Sequence, residues 1–182
     1  MRVYPFSGLM MCAAFLVGCA GKPPFLLTGE EGWDAESGFA VGEIRVNLVD
    51  PDENSVFPDA EGLAAIYRQA MSESFAEKKM LSSSEGVNEL NCDINYQRFY
   101  MFGRSTGSLS HQEVSHICRI TRGGKVIAVS ERGPYRPQRG GVYAEAARSL
   151  RGIVVKTSPD SEKKDVEMMA DLIVLDVEQS RP

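Results

Sequence analysis

Two cysteines and one pair of adjacent glycines constrain this chain more than any other feature. Residues 89–102 and 113–121 both read as strands, with a Gly/Ser loop near Gly103 to Ser110 between them. If Cys92 faces Cys118, then Leu90 faces Ile120, Ile94 faces His116 and Tyr96 faces Val114. All of these lie on one face by the two-residue period of a strand. The next turn, Arg122-Gly123-Gly124-Lys125, is a strong two-residue hairpin signal. It sets Ile120 opposite Ile127 and Cys118 opposite Val129, again on that face. Two turns read independently therefore agree on one apolar surface of a three-stranded antiparallel sheet.

A disulfide between Cys92 and Cys118 fits this register, because directly opposed residues bring their Cβ atoms to about 4.5–5.5 Å, and a disulfide needs only the slightly closer approach of about 3.5–4.5 Å. In the chain-entropy picture the closed loop contributes roughly 3–3.5 kcal/mol. Its role is to staple the sheet. Two buried free thiols are the alternative. A metal site is not expected, since neither CxxC spacing nor a nearby histidine pair completes one.

The flanking segments supply the other layer. Glu43 to Val49 alternates, with Ile44, Val46 and Leu48 on one side, and reads as the first strand. Asp59 is the N-cap of a helix running to about Met80, whose apolar face is Leu63, Ile66, Tyr67, Ala70, Met71 and Phe75. Ser158-Pro159 has the form of a helix start, and Val166, Met169, Ala170, Ile173 and Val177 follow at helical spacing. Tyr143 to about Val155 reads as a further helical stretch. Gly133 to Gly141, with Pro134 and Pro137, reads as an exposed loop because proline is excluded from central strands. The expected fold is α+β: a four-stranded, mainly antiparallel sheet in β-α-β-β-β-α order, with helices on one face.

The first residues carry an address. Arg2 precedes an apolar run from Phe6 to Val17, too short to span a bilayer. The run ends in Leu16-Val17-Gly18-Cys19, which resembles the lipobox of bacterial lipoproteins. That resemblance implies cleavage after Gly18, acylation of Cys19 and, with Ala20 rather than Asp next, sorting to the outer membrane. The organisation is then a signal peptide (1–18), a lipidated tether (19–41) and one periplasmic α+β domain (42–182). A flexible tether of this length spans about 25 Å. Phe25, Leu26, Leu27, Trp33 and Phe39 are unusual for a free linker, so part of it is expected to dock on the domain. The element order is similar to that of small accessory lipoproteins such as the LPS-assembly lipoprotein. More loosely, it resembles activator lipoproteins with a TolB-amino-terminal-like fold. These are architectural likenesses, and fold analogy does not carry function.

No catalytic constellation stands out. The only histidines, His111 and His116, fall in a hairpin loop and on the core face, and no P-loop, GxSxG or dinucleotide motif is present. No catalytic residue, metal or cofactor is expected. The formal charge of −5, one unit more negative without Arg2, argues against a nucleic-acid partner. Two segments are candidate partner-binding surfaces. One is Tyr96 to Arg104, where Tyr100 and Phe102 share a face and Phe99 and Met101 the other, which implies coverage on both sides, a bulge or a binding surface. The other is the basic set Arg132, Arg136 and Arg139 around Tyr135. The leading functional expectation is a non-enzymatic accessory or assembly factor with a protein partner in the envelope, itself held to the membrane by the N-terminal lipid. The alternative is a binding module for a glycolipid or cell-wall polymer. A hydrolase with an unrecognised site is the weakest reading.

Overall fold

The computed structural model describes residues 24–28, 38–49, 56–83, 87–100, 109–136 and 158–181. They form strands β1 (Leu26–Leu27) and β2 (Phe39–Val49), helix α1 (Ala60–Glu77), strands β3 (Asn88–Tyr100), β4 (Leu109–Arg122) and β5 (Lys125–Tyr135), and helix α2 (Pro159–Gln179). The sheet is five-stranded and mixed, in the order β1-β5-β4-β3-β2. The four expected strands are all present; the fifth is the short β1, which pairs antiparallel to β5. Strand β2 runs parallel to β3. An 18-residue helix lies between them, and a crossover of that length lets two neighbouring strands point the same way.

The β3–β4 register is the one the cysteines require: Leu90 faces Ile120, Cys92 faces Cys118, Ile94 faces His116 and Tyr96 faces Val114. Cys92 and Cys118 are disulfide-bonded. The β4–β5 register departs from expectation. A bulge between Ile120 and Thr121 moves Ile120 opposite Ala128 and Cys118 opposite Ser130, each one residue beyond the partner read from the turn. The turn itself holds: Gly123 and Gly124 have φ of +56° and +78°, the left-handed pair that a tight two-residue hairpin demands.

Both helices lie on one face of the sheet. Leu63, Tyr67, Ala70, Met71 and Phe75 of α1 and Val166, Met169, Ala170, Ile173 and Val177 of α2 join Leu90, Ile94, Val114 and Ile120 in a single core. Ile66 is only partly buried at its margin. The caps are those the sequence implies: the Asp59 side chain accepts from the Gly62 N–H, and Ser158 accepts from the Ser161 N–H with Pro159 at the first helical position.

Two expectations change, and the expected docking of part of the tether is seen. Strand β5 continues through Pro134 to Tyr135, where a loop was expected. Strand β1 pairs only with Ala128 and Val129, so beyond them β5 is an edge, where a proline removes no ladder bond. Part of the apparent tether belongs to the domain: Phe25 is buried, β1 completes the sheet, and β2 begins at Phe39, itself buried and stacked on Phe75. Ser110 lies in β4 and not in the preceding loop. The helical reading of 143–155 falls outside the described residues.

Candidate functional site

The sheet has two unlike faces. On the helix-facing side, α2 carries three buried carboxylates, Glu162, Asp165 and Asp176. Each meets a strand residue. Glu162 accepts from Arg98 Nε (2.7 Å) and Nη2 (3.0 Å) and from the Tyr96 hydroxyl (3.0 Å). Arg98 also donates to the Pro58 carbonyl (2.6 Å), tying β3 to the segment that enters α1. Its guanidinium lies over the rings of Phe57 and Tyr96. Gln112 donates to Asp165 (3.4 Å), and Arg132 pairs with Asp176 (2.9 Å). Burial, reinforced by the Glu162 charge, pushes the Tyr96 hydroxyl well above its usual pKa.

Two residues of the basic segment read from the sequence, Arg132 and Tyr135, sit beside this seam. Arg132 is committed to Asp176 and lies 5.9 Å from the centre of the Tyr135 ring. Tyr135 is not a free loop residue; its hydroxyl meets His116 Nδ1 at 3.2 Å, and the two rings sit edge to face. Burial, with the Arg132 charge adding to it, lowers the His116 pKa to about 4. Burial raises Tyr135 to about 12, so both are neutral at neutral pH. Asp176 is shifted upward by burial, against the opposing pull of Arg132. Arg136 is exposed, 3.6 Å from Glu113. Of the three arginines, Arg132 is partly exposed and paired with Asp176, Arg136 faces solvent, and Arg139 lies outside the described residues.

Of the aromatic pair, Tyr100 packs edge-on against Phe57, and Phe102 lies outside the described residues, as does Cys19. A bulge falls between Phe99 and Tyr100. Its extra residue, Ser110, is on β4, so β3 keeps its alternation, and each face has its own cover: Phe57 over Tyr100 and His111 over Phe99.

The opposite face carries no helix among the described residues, and its side chains form cross-strand rows. Asn47 of β2 donates to Asn95 of β3 (3.0 Å), which reaches Ser115 of β4 (3.5 Å). Asp93 lies between Arg45 and Arg119. Asn91 accepts from the Glu43 N–H (2.8 Å) across the β2 bulge and donates to Thr121. Phe99 and His111 stack at 4.5 Å between ring centroids. Chemically this is a surface of amides, a row of linked charges from Glu43 through Arg45 and Asp93 to Arg119, and one aromatic platform. Sequence reasoning passed over it because it attends to apolar and titratable clusters. Its signal is nonetheless plain: Asn91, Asp93, Asn95 and Gln97 occupy every second position of β3.

The fold and faces define a class: a small α+β domain with two helices on one side of a mixed sheet and a polar sheet face on the other. No family model matches the chain, and no curated protein matches it. Among solved structures, the rare lipoprotein B from Shewanella oneidensis is similar to it at 12% identity. The alignment covers 76% of this chain and 92% of that chain, with a TM-score of 0.26, a likeness too slight to carry an argument. Among the described residues, no helix is long and apolar enough to cross a membrane.

Proposed function

We propose that this chain is a lipid-anchored lipoprotein of the outer membrane, facing the periplasm, and a non-enzymatic accessory or assembly factor for an envelope protein. The observation that carries this reading is the docking of the segment just after Cys19. Phe25 is buried and donates its N–H to the Ser180 hydroxyl (3.0 Å), and Leu26 and Leu27 extend the sheet. Six residues of extended chain reach at most about 20 Å, so an acylated Cys19 keeps the domain beside its membrane. A domain held that closely suits a fixed partner at the same membrane. The polar sheet face is the surface offered to it; polar, hydrated contact is ordinary for non-obligate partners.

A second reading, the glycolipid or cell-wall module, is favoured by the Asn47–Asn95–Ser115 row and the Phe99–His111 stack. Amide donors and acceptors on the same face as a ring plane, four residues along β3, offer both hydrogen bonds and an apolar surface to a sugar.

Photocrosslinking in intact cells from a reactive residue at Asn95, in the middle of the face, separates the two. Capture of one discrete envelope protein is the expected result. A membrane-bound chain that yields no discrete protein adduct counts against the accessory role and for the glycan reading.

A further inference from the structure

The short link between Cys19 and the folded domain does more than limit reach. It also sets which edge of the sheet lies nearest to Cys19. Strand β1 runs along the outer edge of β5: Leu26 lies beside Val129 and Leu27 beside Ala128. The Thr28 N–H then bonds the Ile127 carbonyl, and its hydroxyl bonds the Val126 carbonyl. The chain therefore enters at the Ser180 end of this edge and runs toward the Gly123–Gly124 turn.

Along that path three large apolar side chains face solvent: Leu26 at 59% exposure, Leu27 at 52% and Val126 at 37%. They are half of the exposed large apolar residues described, and the other three, Val49, Val56 and Leu81, do not lie on this edge. Lys125, exposed at the turn, adjoins Val126. Leucines cost little at a bilayer interface and gain from burial there, and a neighbouring lysine keeps its ammonium among the headgroups.

We infer that the β1/β5 edge is a membrane-contacting surface: Leu26, Leu27 and Val126 enter the headgroup and upper acyl region of the bilayer that holds the lipid on Cys19. The occupant follows from chain length, since an anchor within about 20 Å of Phe25 holds this edge nearest to the lipid. Strand β2 lies four strand spacings away, about 19 Å across the sheet. The polar sheet face then stands roughly upright on the membrane, open to a neighbour in the same plane. This inference rests on the lipid-anchor reading above.

The test uses the full lipidated chain in vesicles of phosphatidylethanolamine and phosphatidylglycerol doped with a phosphatidylcholine brominated along its acyl chain. With Trp33→Phe removing the single native tryptophan, one reporter is placed by Leu26→Trp, a second by Val126→Trp and a control by Val49→Trp on β2. Quenching of the first two, strongest with bromines close to the headgroup and several-fold above the control, is the expected result. Equal quenching at all three positions, or none at Leu26→Trp and Val126→Trp, overturns the inference when the chain still floats with the vesicles. A chain from cells that fails to float overturns the anchor reading instead, and flotation is scored before any fluorescence is read.

Discussion

Glu162 and Arg98 are the pair whose disruption this fold should tolerate least. Their side chains are 0% and 3% exposed. The carboxylate accepts three hydrogen bonds, two of them from one guanidinium. Replacing Arg98 with Met keeps much of the stem and the cover over Phe57. It leaves a buried carboxylate with one donor, the Tyr96 hydroxyl, and strips the Pro58 carbonyl of its bond from Arg98. Removing one partner of a buried pair costs about 3–5 kcal/mol, so Arg98→Met should lower the melting temperature by on the order of 10 °C. Glu162→Leu should cost about as much, because it strands a buried cation. The double variant should be far less harmful than the two losses added, since no uncompensated charge remains. What it retains is the penalty for Tyr96 and Pro58, about 1–3 kcal/mol for each group left unsatisfied. Urea unfolding of the four proteins at neutral pH, followed by far-UV circular dichroism, gives the cycle. Additive losses would refute the argument, because they would mean that the two charges do not sense each other.

Acid should weaken the fold through His116. The folded state holds its pKa near 4 against 6.5 when unfolded, so only the unfolded chain takes up a proton between those values. Stability therefore falls as pH drops from about 6.5 toward 4, by about 3 kcal/mol in all. His116→Gln should flatten that slope in urea titrations at pH 4.5 and 7, and an unchanged slope would contradict the assignment. Asp176, whose pKa is raised in the fold, works in the opposite sense, contributing stability in acid that fades as pH rises through its folded value. Replacing Cys92 and Cys118 together by alanine should cost roughly 3 kcal/mol or more with the helices retained, measured as a lower urea midpoint. Asp59→Ala should cost about 1 kcal/mol through the lost Gly62 cap, and Asp59→Asn much less, in the same assay.

Much of the scaffold was legible because its signals are local. The double-glycine turn and the two helix caps are each written within a few residues, the paired cysteines lie on neighbouring strands 26 positions apart, and each lands where it should. The misses share a different cause. The Ile120/Thr121 bulge shifts a register by one residue without any mark in a sequence that alternates correctly on both sides. Strand β1 is two residues long, and its partner lies a hundred positions away, so no window can find it. Arg132 and Tyr135 read as a basic aromatic loop because their partners, Asp176 and His116, come from other elements. The proline argument was sound in principle but lacked the one fact that decides it, namely where the neighbouring strand stops.

The bond between Phe25 and Ser180 joins positions 155 apart in the chain. Contacts of such separation form late, after the closure entropy of the intervening chain has been met by other interactions. Strand β5 is then expected to keep its outer edge unpaired while the hairpins and helices assemble, and an unpaired edge accepts strands from other molecules. A change that loosens the seat of Phe25 should accordingly be felt during maturation, as aggregation and poor yield, before it is felt in the finished protein.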